Sequence, residues 1–579
     1  MNFFTSVTEQ TSFRKFPRKT IVFISIIITA SAIITGIHLM NRVRAQSPTP
    51  ITSCGTVTGS VILQSNLAST NDDCLRVGAN NVTINGNGKT VTVTGSGHAV
   101  FNYLKSGLTV RNLNSNSDVY INGDSSDSVT VANSDLAAVN DFYGDNITVK
   151  DSTLDTISFV GTGSAGDPNN VDHVVLTNNT IRSAANKVVI FTAGDASPCP
   201  STADVITNNT MISDHVCGAA GQPTCDEPMV VFLQCTADII FSNNTVQATG
   251  LAQGIRIRDE TDNSTFTNNN IWVADPNGDF GGINITSGNS GKHHPQNNVW
   301  QNNFVRSNND LALNLQSPGP GNVFENNIFW TNTSGTANLM NDGSNGNIFK
   351  HNTFFNAGSS PALFFDYPNN RTADTFSSNI VAAAEQSALA VGQWSFARYT
   401  GDRNLFWSTS SSTVFSPQGS LASWQSAANP DDANSVYGNP RFVNVYTGDF
   451  HLQASSAAIG VGEGGTDAGA FPYQAASCTE DWSCGPWSPC VNSLQSRSCV
   501  DVNNCGTTAS QPALTQSCVS PCIENWTCTA WSACSNDQQT RTCTDTNSCG
   551  TTVSQPPASQ SCSAADATPP SSILNLQAL

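Results

Sequence analysis

Nine consecutive residues, Gly254-Ile255-Arg256-Ile257-Arg258-Asp259-Glu260-Thr261-Asp262, hold two arginines and three acids in a chain otherwise sparse in charge. Ile255 and Ile257 alternate with Arg256 and Arg258, the period-two pattern of a half-buried strand. With the isoleucines facing a core, both guanidiniums face out side by side. Such a like-charge pair is unfavourable unless acids or a ligand sit near it. Guanidinium forks match carboxylates, so one chemistry here is capture of a carboxylated sugar by Arg256 and Arg258. Asp259, Glu260 and Asp262 follow in the turn. They are candidates to hold a cation, with Ca2+ the natural partner of oxygen ligands, or to pair with the arginines. Asn284 and Asn314 fall one and two repeats later on the face that bears Arg256. Lys292 and His293, in Lys292-His293-His294, join the two arginines as catalytic candidates. The other reading is a salt-bridge ladder without a ligand, since ion-pair networks mimic sites.

The elements that position these residues repeat. The pair Asn178-Asn179 returns as Asn208-Asn209, Asn243-Asn244, Asn268-Asn269, Asn302-Asn303 and Asn326-Asn327, then as His351-Asn352 and Ser378-Asn379. Its second position steps by 30, 35, 25, 34, 24, 25 and 27 residues. A period of that size means stacked units rather than one globular core. Between the pairs lie short alternating runs such as Ile283/Ile285 and Leu311/Leu313/Leu315, which read as strands. Strands joined by turns can wind into a coil in which each pairs with its counterpart about 4.8 Å away. Asn suits the turn because it tolerates positive φ, and its amide can bond the equivalent amide one coil on. The expectation is an all-β parallel β-helix over residues 46–475. The steps are too short for β-propeller blades of about 40–45 residues.

This pattern resembles the right-handed parallel β-helix proteins of the pectate-lyase-like (pectin lyase-like) superfamily. The resemblance implies the fold and leaves activity open. Three enzyme templates of that superfamily do not match cleanly. Arg256-Ile257-Arg258 stands where polygalacturonases show Arg-Ile-Lys, but Gly-His-Gly is missing. Asp259, Glu260 and Asp262 beside the arginines resemble the acids and base of pectate lyases, while the Asp-Pro-His of alginate epimerases does not occur. Residues 404–473 resemble the terminal segment of β-helix proteins related to polysaccharide lyases, which implies a cover for the last coil. His451 and Asp467 within it read as structural.

Residues 1–45 begin with Arg14, Lys15, Arg18 and Lys19, run uncharged from Ile21 to Met40, and end at Val43-Arg44-Ala45. This reads as a cleaved signal peptide or a retained transmembrane helix over residues 20–40. Either way residues 46–579 are expected to be exported, secreted or displayed at the cell surface. The formal net charge of −19 argues against nucleic acid as a partner.

The 18 cysteines fit export. Cys54 and Cys74 flank the first strands, where a bridge would close the open end. Cys199, Cys217, Cys225 and Cys235 sit in long loops and lack the Cys-x-x-Cys spacing of a zinc site. Cys478, Cys484, Cys490, Cys499, Cys505 and Cys518 have the same spacing as Cys522, Cys528, Cys534, Cys543, Cys549 and Cys562, offset by 44 residues. Two disulfide modules in tandem are expected, at 476–519 and 520–562, followed by a linker or tail at 563–579. With Trp482, Trp487 and Arg497, and Trp526, Trp531 and Arg541, each resembles the thrombospondin type 1 repeat. That resemblance implies Trp–Arg stacking in place of an apolar core, and engagement of cell-surface proteins.

The sequence thus supports a carbohydrate-binding or adhesive β-helix protein with a polysaccharide or glycan partner. The alternative is a polysaccharide lyase or hydrolase acting on an acidic polysaccharide.

Overall fold

The computed structural model describes residues 47–562 apart from 124–127, 162–170, 186, 193–201, 216–227, 251, 275–280, 287–293, 309–310, 317, 333–337, 341–345, 366–373, 385–390, 394–398, 410–418, 427–431, 475–479, 489–493, 504–507, 509, 519–523, 549, 551 and 553. The apolar run at residues 20–40 therefore lies outside the described residues. Among the described residues no helix is long and apolar enough to cross a membrane. The chain divides into two compact units between Tyr473 and Gln474.

The first unit is a parallel β-helix. In a typical coil a short strand, Val205–Thr207, leads into the Asn pair. A second strand, Thr210–Ser213, follows it, and a third, Met229–Gln234, completes the coil. Each pairs in parallel one coil on: Val205 with Ile240, Thr210 with Thr245, Met229 with Gln253. Among the described residues the first sheet has 15 strands, from Thr49–Ile51 to Tyr399–Asp402. In earlier coils one long strand serves the other two sheets together. Thr153–Val160 pairs with both Thr180–Ser183 and Lys187–Thr192, and from there the coil has three faces.

The Asn pair divides its work. The first member takes the left-handed backbone, with φ of 57° at Asn178, 58° at Asn208 and 57° at Asn302. The second is buried and forms a ladder. Asn303 Nδ2 donates to Asn327 Oδ1 at 2.9 Å and to Phe266 O at 2.9 Å, while its own Oδ1 accepts Asn269 N and Nδ2 at 3.0 and 2.9 Å. The ladder runs from Asn179 to Asn404 and ends on Asp432 and Ser435. The carbonyl that each amide reaches belongs to an inward aromatic in the later coils. Phe241, Phe266, Trp300, Phe324, Phe349 and Phe376 stack through the core with centroids 3.8–6.1 Å apart. A second ladder, along the turn before the first sheet, uses changing residue types: Ser264 N meets Asn298 Oδ1, Asn298 N meets Asn322 Oδ1, and Asn347 N meets Asp374 Oδ1.

Both ends of the stack are closed. The Cys54–Cys74 disulfide ties the first coils. At the far end the short helix Leu421–Gln425 turns Leu421 and Trp424 onto the core. Trp424 Nε1 donates to Asp432 Oδ2 at 3.0 Å, which joins this cap to the end of the ladder. Trp424→Ala is expected to cost about 3–4 kcal/mol through cavity and contact loss. Hydrogen exchange should report it first as faster exchange in Leu405–Ser408.

The helix Leu421–Gln425 is the part of residues 404–473 that covers the last coil; the segment after it lies instead along the outer face of the second sheet. Phe442–Asn444 and Asp449–Leu452 pair antiparallel, and Phe450 and Leu452 pack on Ile328, Trp330, Phe355, Ile380 and Leu405 from four coils. Those strand residues are apolar on their outward side and so require a cover. The reversal at Val445–Gly448 uses Gly448 at φ 84°, where a Cβ would also meet Phe304 at 3.0 Å. His451 stacks on Phe471 and bonds Asp449, while Asp467 holds the backbone of Gly460 and Tyr473.

In the second unit, Trp482–Cys484 pairs with Cys499–Asp501 and Leu494–Ser496 with Thr515–Ser517. The same pairings recur 44 residues on. Disulfides join Cys484 to Cys499, Cys528 to Cys543 and Cys534 to Cys562, and no described cysteine is free. Arg497 lies 4.4 Å from the Trp487 ring and Arg541 4.3 Å from Trp531. Trp482 and Trp526 do not join these stacks. Their indole N–H groups donate instead to Glu480 and Glu524.

Candidate functional site

The strand Gln253–Arg258 belongs to the third sheet, with Ile255 and Ile257 fully buried in the core. Arg256, Asn284 and Asn314 occupy one outward row, and Phe232 precedes them. The expectation of two open guanidiniums fails. Arg256 is 7% exposed, and Asn284 and Asn314 are at most 1% exposed, so this part of the row is shielded from water. Asn284 Nδ2 donates to Gln253 Oε1 at 3.2 Å, and Asn314 Nδ2 to Asn284 Oδ1 at 3.3 Å. Arg258 is partly open and lies 3.8 Å from the buried Asp259 carboxylate.

The three acids do not converge on a cation. Asp259 Oδ2 accepts Gln234 Nε2 at 2.6 Å, and both Asp262 oxygens accept N–H groups of Gln296 one coil on. Glu260 is buried beside them. Among the described residues no group of three His, Cys, Asp or Glu is arranged to hold a metal. Lys292 and His293 lie outside the described residues, as do Cys199, Cys217 and Cys225; Cys235 is disulfide-bonded.

The same row is open at its other end, and there it carries a feature that sequence reading passed over. Arg76, Phe101, Tyr120 and Asn140 are successive neighbours in it. The Phe101 and Tyr120 rings are half-exposed and stack at 5.4 Å with 5° between their planes; Arg76 lies 5.2 Å over Phe101. Phe142, from the adjacent row, extends the stack at 5.6 Å from Tyr120, and Tyr103 is 53% exposed beside Phe101. Polar groups fix the rings from one side. His98 stacks on Tyr120 at 4.4 Å, its Nδ1 is 2.7 Å from Asp118 Oδ1, and Asn140 Nδ2 donates to Asp118 Oδ2 at 2.7 Å. The signal was present in Val100-Phe101-Asn102-Tyr103 and Val119-Tyr120-Ile121, where aromatic residues alternate with the buried Val100, Asn102, Val119 and Ile121.

A separate electrostatic feature sits where the third sheet turns into the first. Burial pushes Asp204 up to about 7. Burial together with the Asp172 charge pushes Asp145 up to about 7, while Asp172 raises His173. The unfolded Asp204 carboxyl ionises near 3.8, so between there and about 7 the unfolded chain binds fewer protons and stability falls as pH rises. Asp204 Oδ1 accepts Val174 N at 2.9 Å, an acceptor that Asn retains. Asp204→Asn is therefore expected to raise the thermal midpoint at pH 8 and to flatten its decline between pH 5 and 8; an unchanged slope would contradict this assignment.

No protein-family model matches the chain, and no curated protein matches it. Among solved structures, the A-module of the mannuronan C-5 epimerase AlgE6 of Azotobacter vinelandii is similar to it, at 12% identity and a TM-score of 0.29, over 66% of this chain and 91% of that one.

Proposed function

We propose that this chain is an exported polysaccharide-binding protein that lays a glycan along the outward face of the third sheet. The observation that carries this reading is the open stack of Phe101 and Tyr120. Half-exposed rings stacked in register offer a continuous strip of apolar ring edges to successive sugar rings at low entropic cost, because each aromatic has only two side-chain torsions. The flanking Arg76, His98, Asp118 and Asn140 supply the polar contacts that fix orientation. A solid β-helix holds these groups rigidly, as a binding platform requires.

Disulfide bonding of the described cysteines supports an oxidising, extracytoplasmic location. The Arg497–Trp487 and Arg541–Trp531 stacks support reading the second unit as two thrombospondin type 1-like modules, which would engage cell-surface proteins. Affinity electrophoresis of the intact chain through gels containing acidic or neutral polysaccharides tests the binding role; mobility unchanged in every gel would overturn it. Ultraviolet absorbance of the same mixtures separates binding from β-elimination, which creates a conjugated double bond.

A further inference from the structure

The outward face of the second sheet is covered by the hairpin at 442–452 only as far as its reversal at Val445–Gly448. Beside that edge a cavity of about 250 Å³ opens, lined by Gln247, Asn270, Trp272, Arg306, Trp330 and Thr447, among others. Gln247, Trp272, Arg306 and Trp330 are successive neighbours in one row of four coils. The Arg306 guanidinium lies 4.1 Å over the Trp330 ring. This cavity is on a different sheet from Phe101 and Tyr120, so it stands independently of the reading above.

Three solvent-shielded polar atoms on its lining residues have no hydrogen-bond partner: Trp272 Nε1, Arg306 Nε and Trp330 Nε1. All three are donors, and neither Trp nor Arg side chains have an acceptor to offer one another. Unmet donors of this kind are costly, so an acceptor is what these three atoms lack. Among the described residues Arg306 also makes no ion pair, in a chain with 43 acidic and 24 basic residues. A guanidinium stacked on one face by an indole keeps its in-plane donors for a planar anion. Trp272, half-buried at the open side, presents an aromatic surface of the kind a sugar ring packs on, and Gln247 and Asn270 place amides at the rim.

We propose that this cavity is a second glycan site, specific for one carboxylate-bearing sugar residue, whose carboxylate pairs with Arg306 and whose ring lies on Trp272. The volume suits a single sugar, and the Arg306 guanidinium with the two unmet indole N–H groups selects an acidic one.

The test titrates trigalacturonate into the full chain and follows tryptophan fluorescence and heat. Saturable binding is expected. Arg306→Gln, which keeps the planar shape without the charge, should weaken it roughly ten- to a hundredfold. Trp272→Ala should weaken it and remove most of the fluorescence response. The methyl ester of the same oligomer should bind the wild-type chain as weakly as the acid binds Arg306→Gln. A Phe101→Ala/Tyr120→Ala chain should retain the response, which separates this cavity from the aromatic stack. Thermal melts confirm that each variant is folded. Equal affinity for acid and ester, unchanged binding by folded Arg306→Gln, or inorganic sulfate reproducing the whole signal would each overturn the proposal.

Discussion

Asn303→Ala is expected to destabilise the β-helix by roughly 4–6 kcal/mol, the largest loss from any single change considered for this chain. The side chain is 2% exposed and joins three coils. Its removal strands Asn269 N on one side and takes the Nδ2 donor from Phe266 O on the other, and two further bonds are lost at Asn269 Nδ2 and Asn327 Oδ1, which keep Phe241 O and the residue 303 N as partners. Buried groups left unsatisfied cost about 1–3 kcal/mol each, and partial refilling by water keeps the total below their sum. Asn303→Asp should not rescue, because a carboxylate cannot donate to Phe266 O and its charge would be buried. Denaturant unfolding checks both variants. A loss below about 1 kcal/mol would mean that coil pairing alone holds the stack.

The second large effect is on binding. Each ring of the Phe101–Tyr120 stack that covers roughly 80 Å² of apolar surface, counting both partners, contributes about 2 kcal/mol at 25 cal/mol per Å². After the cost of ordering a flexible polymer, losing both rings should still weaken binding roughly thirtyfold or more. Tyr120→Phe keeps the ring and should bind within a few-fold of wild type, whereas Tyr120→Ala should not. Asp118→Asn should act more mildly, since it loosens His98 and Asn140 and leaves the rings in register.

How much of this was legible follows from where each constraint lies. The Asn pair was readable because one position needs φ near 57° and the next needs an amide that both donates and accepts; few residue types meet either demand. The second ladder escaped notice because a backbone N–H is satisfied equally by Ser264 Oγ, Asn298 Oδ1 or Asp374 Oδ1, so no letter recurs. The placement of the Arg256 row followed from alternation, but its burial did not. A strand pattern states which way a side chain points and not what covers it. The hairpin on the second sheet was unreadable for a related reason. The contacts of this hairpin and of the segment that follows it join residues far apart in sequence, such as Phe450 with Trp330, Ala470 N with Thr353 Oγ1 and His351 Nδ1 with Asp467 O, and no local pattern encodes such a pairing. The aromatic stack required the register of Phe101 on Tyr120, which only the folded coil supplies.

Isothermal titration of soluble neutral polysaccharides, which lack the carboxylate that the Arg306 cavity selects, into the full chain and into its Phe101→Ala/Tyr120→Ala variant tests the central claim most directly. The account predicts saturable binding of at least one polysaccharide by the wild-type chain, and a loss of roughly thirtyfold or more in a variant whose melting curve still shows an intact β-helix. Equal affinity in wild type and folded variant would contradict it, because the glycan would then be held somewhere other than the open face of the third sheet.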